Sequence, residues 1–164
     1  MTQPMGDGWF LDWCVGLGLI GGTIMLHALG LVLISLLLDG GLRRWDSRRA
    51  HKGRGRLRRA ILSATLFIGF AGWLLACLHG MDAAVWAAIY CLLGAIPSFH
   101  AAMLYSVDCM ATLGSTGVAI AADWSLLGPL EGACGMLLFG VSTAFLFTVM
   151  AHVRQALLAA YRAG

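Results

Sequence analysis

The chain has 164 residues, 60% of them hydrophobic and 12% charged, with mean hydropathy +0.83 and a formal net charge of +3. A soluble domain of this size cannot cover so much apolar surface, so composition excludes an ordinary water-soluble enzyme and points to an integral membrane protein. A bilayer is crossed by about 20 apolar residues.

The first such run is Leu17–Leu38, interrupted only by His27. No basic residue precedes it, whereas a secretory signal has a positive leading region, so this run is expected to stay as an anchor. A basic stretch follows. Nine of the 11 Lys and Arg residues lie in it: Arg43, Arg44, Arg48, Arg49, Lys52, Arg54, Arg56, Arg58 and Arg59. The other two, Arg154 and Arg162, come after the last apolar run. The positive-inside rule then places the N-terminus outside and both basic regions in the cytoplasm. The loop at 43–59 is read as a topogenic signal with attraction for anionic lipids, not as a nucleic-acid site.

Two more runs, Ala60–Met81 and Gly132–Val153, complete three expected spans. Between them, Ala83–Val107 is apolar but broken by "GAIPSFH" at Gly94–His100. Pro97 removes a backbone donor and restricts its neighbour, leaving pieces too short to cross alone. Because the chain must return to the cytoplasm before Arg154, Asp82–Glu131 must begin and end outside. The economical arrangement is an outer-surface helix over 83–93 and a re-entrant helix over 98–112. Ser98 is the expected N-cap, Phe99, Met103, Val107 and Met110 the expected apolar stripe, and Gly114 the expected stop. Pro129 is expected in the first turn of the last helix, with Glu131 beside its positive end. After the re-entrant helix, "TLGSTG" offers carbonyl and hydroxyl oxygens, which are ligands for hard cations, near a helix end that favours positive charge.

A span, a re-entrant helix, a glycine-bearing turn and a second span resemble the pore module of tetrameric potassium channels, in particular small bacterial members with an extra leading span. The resemblance runs through "WAAIYCLLGAIPSFHAAMLYSVDCMATLG" and "DWSLLGPLEGACGMLLFGVSTAFLF", roughly Trp86 to Phe147. It implies an all-helical membrane protein with three spans and a re-entrant pore helix, assembled as a homotetramer in the bacterial inner membrane. It implies a cation channel, with a monovalent cation, potassium first, as the permeant ion and no other cofactor or metal. Stacked carbonyl rings replace the ion's hydration shell in such filters. Thr112, Leu113 and Gly114 match the start of the filter. Ser115 stands where the family has an aromatic residue, Thr116 at the second filter glycine and Gly117 at the following acid. Asp108 and Cys109 replace usual apolar and threonine positions of the pore helix. A β-branched residue at positive φ is strongly disfavoured, so Thr116 is expected to turn its carbonyl away, or the turn to be rebuilt around Gly114 and Gly117. The resemblance implies changed or reduced potassium selectivity.

Residues 1–59 are expected to hold the outer segment, first span and basic loop, 60–153 the pore module, and 154–164 a short cytoplasmic tail. Gly135 and Gly140 are candidate bends of the inner helix, or close-packing positions such as Gly140-xxx-Ala144. Asp108 is either a locally bonded acid or one member of a cation-attracting ring. His27 lies mid-span with no second histidine four residues away, and His79, His100 and His152 are expected at other depths or sides. His100 is a candidate for pH tuning of the entrance. Cys14, Cys77, Cys91, Cys109 and Cys134 form no metal-binding spacing. No enzyme motif is present. Two alternatives remain beside the channel: a non-conducting structural or regulatory subunit, and a membrane metal or haem protein.

Overall fold

The computed structural model describes residues 7–47, 56–114 and 117–162, with backbone alone at 7–8, 42–47, 56–57, 159–160 and 162. Four helices appear in chain order: α1 (Asp7–Ser47), α2 (Arg56–Leu92), α3 (Phe99–Met110) and α4 (Leu127–Arg162). Three segments, Trp9–Gly41, Arg58–Leu92 and Ala122–Leu158, are long and apolar enough to cross a membrane. Much of the basic loop at 43–59, with its expected lipid contacts, lies outside the described side chains.

The long helices are apolar on all sides. Along α1, Leu31, Ile34 and Leu38 are buried while Leu29, Val32, Leu33, Leu36 and Leu37 face outward. In water that outer face would be unfavourable; in lipid it is the solvated one.

Helix α2 differs from expectation. It runs without a break to Leu92, so 83–93 is its final part and not a separate surface helix. No proline interrupts it around Met81–Asp82, and Ala83, Trp86, Ala87 and Tyr90 continue a buried helical face. The helix stops at Gly94, whose φ of +67° places it in the left-handed region. There Ala95 N–H donates to Tyr90 O at 2.9 Å and Gly94 N–H to Cys91 O at 3.1 Å. This paired closure satisfies the last carbonyls of the helix.

The described residues within 1–28 and 78–140 form one compact unit, and those within 29–77 and 141–164 form another. The first unit contains α3 and a core of Trp86, Tyr90, Ile96, Ala102, Met110, Leu127 and Leu138. In the second, Leu31, Ile34, Leu38, Ala64, Ala71, Leu75 and Val153 are buried.

Candidate functional site

In the first unit, α3 is a 12-residue helix, about 18 Å long and too short to cross a membrane. Ser98 caps it as expected: its Oγ accepts from Ala101 N–H at 3.3 Å. The expected stripe packs only in part, through Met110 and Met103. Ala102, Ser106, Asp108 and Met110 are buried, whereas Phe99 and Val107 are about half exposed. Small residues bring α3 close to its neighbours, while Phe99, Leu104 and Val107 point away.

Three glycines explain that closeness. A side chain at Gly128 would meet the Tyr105 hydroxyl, at Gly132 the Cys109 carbonyl at 3.2 Å, and at Gly135 the Met110 carbonyl at 2.5 Å. Their i, i+4, i+7 spacing forms one stripe of α4 against which the backbone of α3 lies. Gly135 is thus a close-packing position. Gly140 has nothing within 4 Å, and α4 is continuous through both.

A buried polar network ties α3 to α2 and α4. Tyr90 Oη donates to Glu131 Oε2 at 2.6 Å. Ser106 Oγ reaches both Ala83 O, at 2.9 Å, and Glu131 Oε1, and its single proton serves one of them at a time. Glu131 is therefore a buried bridge and lies beyond the first turn of α4, contrary to expectation. The acid at that helix start is Asp12 of α1, whose carboxylate accepts from Leu126 N–H. Pro129 does fall in the first turn. On α3, burial and then the Glu131 carboxylate push the Cys109 thiol up to about 12, so it stays protonated at neutral pH.

Helix α3 ends before Gly114. Leu113 N–H donates to Asp108 O at 3.0 Å and Thr112 N–H to Cys109 O at 2.9 Å, with Ala111 as C-cap. Thr112 takes the left-handed position of this closure, with φ +56°. Such a conformation is a marked outlier for a β-branched residue. Gly114 and Gly117 also have positive φ, +65° and +66°, while Leu113 does not. Ser115 and Thr116, including the expected carbonyl turn at Thr116, lie outside the described residues. The segment comes back to the end of α2, where Ala121 N–H donates to Ala95 O at 3.0 Å.

A second cluster lies at α1 and α2. His27 Nδ1 and Asp82 Oδ2 are 2.6 Å apart, and both side chains are almost fully buried. His79 joins them: its ring centroid is 5.0 Å from that of His27 and 4.3 Å from that of Phe139, on which it stacks. The expectation that His27 and His79 lie at different depths is corrected. Because α2 continues past Met81, His79 and Asp82 share one face at i, i+3 spacing and meet His27 there. In the sequence Asp82 stands only as the start of the outer stretch Asp82–Glu131. The HxxD spacing was visible in the sequence, but its partner on α1 was not. His100 and His152 are exposed elsewhere.

No family model, curated protein or solved structure matches the chain.

Proposed function

We propose that the chain is a subunit of an oligomeric cation pore resembling the potassium-channel pore module. In this reading α3 is re-entrant, and segment 111–117 from each of four copies lines the ion path. The observation that carries the reading is the backbone sequence after α3. Thr112 and Gly114 have positive φ while Leu113 between them does not, so the chain leaves regular helix at the segment proposed to bind ions. The N–H groups of Thr112 and Leu113 are taken up by Cys109 O and Asp108 O, and the carbonyl and hydroxyl oxygens of the segment are hard-cation ligands. The negative end of a helix dipole adjoins it. A closed left-handed position occupied by threonine also places a hydroxyl where glycine would supply none.

The same reading puts the N-terminus outside and the basic loop and C-terminus in the cytoplasm of a bacterial inner membrane. Anionic lipid binds at the loop, and potassium is the first candidate permeant ion. Retention of "TLG" with replacement of the next three filter residues supports a pore with altered selectivity. Cation flux into liposomes tests this. The wild type is expected to pass monovalent cations with weak preference for potassium over sodium. The triple change Ser115→Tyr, Thr116→Gly, Gly117→Asp is expected to raise that preference. Absence of flux from a folded tetramer would favour the non-conducting subunit, and a stable monomer would overturn the pore.

A further inference from the structure

We propose that His27, His79 and Asp82 form a binding site for a divalent transition ion of the zinc class. They are the one group of three or more such ligands close enough together among the described residues, and their ligating atoms all lie within 4.8 Å of one another. Three helices position them: α1 carries His27, α2 carries His79 and Asp82, and Phe139 of α4 braces the His79 ring with an interplanar angle of 24°.

A structural hydrogen bond between α1 and α2 accounts for only part of this. The bond from His27 to Asp82 uses one carboxylate oxygen. The other, Asp82 Oδ1, is buried with no hydrogen-bond partner. An unpartnered oxygen on a buried acid is costly, more so at membrane depth. Nor does that bond need His79. A cation beside both imidazoles and the carboxylate uses all three groups. Thr23 Oγ1, one turn before His27 on α1, is also buried without a partner and adds a further oxygen to this face.

The donor set selects the ion. Two imidazoles and one carboxylate suit zinc and its neighbours, whereas magnesium and calcium require oxygen ligands. The burial of His27 and Asp82 favours an ion that keeps few waters over a heavily hydrated octahedral one. Three protein ligands and one water or hydroxide make a tetrahedral site. Metal–ligand bonds of about 2.0–2.1 Å put tetrahedral ligand atoms about 3.3 Å apart. The 2.6 Å contact between His27 and Asp82 therefore opens by less than 1 Å to admit the ion. Binding requires neutral imidazoles and an ionised carboxylate, so it weakens as pH falls. The site is distinct from segment 111–117, and its test does not depend on ion flux.

The experiment uses the full-length protein in detergent. Zinc retained after gel filtration is measured, and affinity is obtained by competition with a chelator. About one zinc per chain is expected. His79→Phe keeps an aromatic ring to stack on Phe139 while removing a ligand. It is expected to weaken zinc binding more than about 100-fold, since even outer-shell partners cost about 10–100-fold. His100→Ala with His152→Ala is expected to leave binding unchanged. Cobalt(II) bound to the wild type is expected to give intense tetrahedral absorption, a readout that requires no variant. No retained zinc, a pale octahedral cobalt spectrum, or equal zinc affinity in wild type and His79→Phe would each overturn the site.

Discussion

Helices α2 and α3 end with the same hydrogen bonds and different residues. At the α2 end, Gly94 takes φ +67° and Ala95 and Gly94 close onto Tyr90 and Cys91. At the α3 end, Thr112 takes φ +56° and Leu113 and Thr112 close onto Asp108 and Cys109. Glycine pays no steric penalty in this conformation, while a residue with a Cβ loses about 1–2 kcal/mol. The first end is what a chain uses simply to turn. The second keeps a β-branched hydroxyl residue in spite of its cost, at the start of the segment proposed to bind cations. Strain at one of two otherwise equivalent ends is a reason to look there for function.

Four substitutions break or sharpen this comparison, all read as shifts of melting in detergent. The largest effect is expected at the support of the α3 end. Gly135→Ala puts a carbon 2.5 Å from the Met110 carbonyl and must separate α3 from α4, for a loss of about 1–3 kcal/mol. Retained stability there would mean that α3 does not rest on the glycine stripe. Next, Gly94→Thr transfers the strained arrangement to α2 and is expected to cost about 1–2 kcal/mol. Thr112→Gly does the reverse and is expected to stabilise by about 0.5–1 kcal/mol, while reducing cation flux in the proposed pore. If it destabilises instead, contacts of the threonine side chain outweigh its backbone strain. Gly140→Ala, with open space around it, is expected to stabilise by about 0.5 kcal/mol through helix propensity alone, with no cost from packing.

What could be read from the sequence follows from the range of each signal. Three apolar helices, the Ser98 cap and Pro129 in the first turn of α4 are local or compositional, and the structure has them. Periodicity defines faces but does not say which face meets a neighbour. Of the expected stripe Met103 and Met110 pack, but at Phe99 and Val107 the contact is taken instead by Ala102 and Ser106, because small side chains allow backbones to approach. For the same reason the sequence names Gly135 and Gly140 alike, whereas the close-packed stripe is Gly128, Gly132 and Gly135. Long-range partners were out of reach altogether. Nothing near His27 in the chain announces His79 and Asp82, 52 and 55 positions later. Likewise, Asp12 supplies the acid at the start of α4 across more than 100 residues, a place that Glu131 seemed to fill by proximity alone.

The glycine stripe has a mechanical consequence. Where side chains separate two helices, a change of rotamer can absorb a small displacement of one without moving the other. Between Gly132 or Gly135 and the carbonyls of Cys109 and Met110, there is no side chain on the α4 side to do so. Any tilt of this part of α4 is transmitted directly to the last turn of α3, and the polar bridge of Glu131 to Ser106 and Tyr90 holds the same parts together. The segment beginning at Thr112 therefore inherits the position of α4 with little slack, as a lever inherits the motion of its fulcrum.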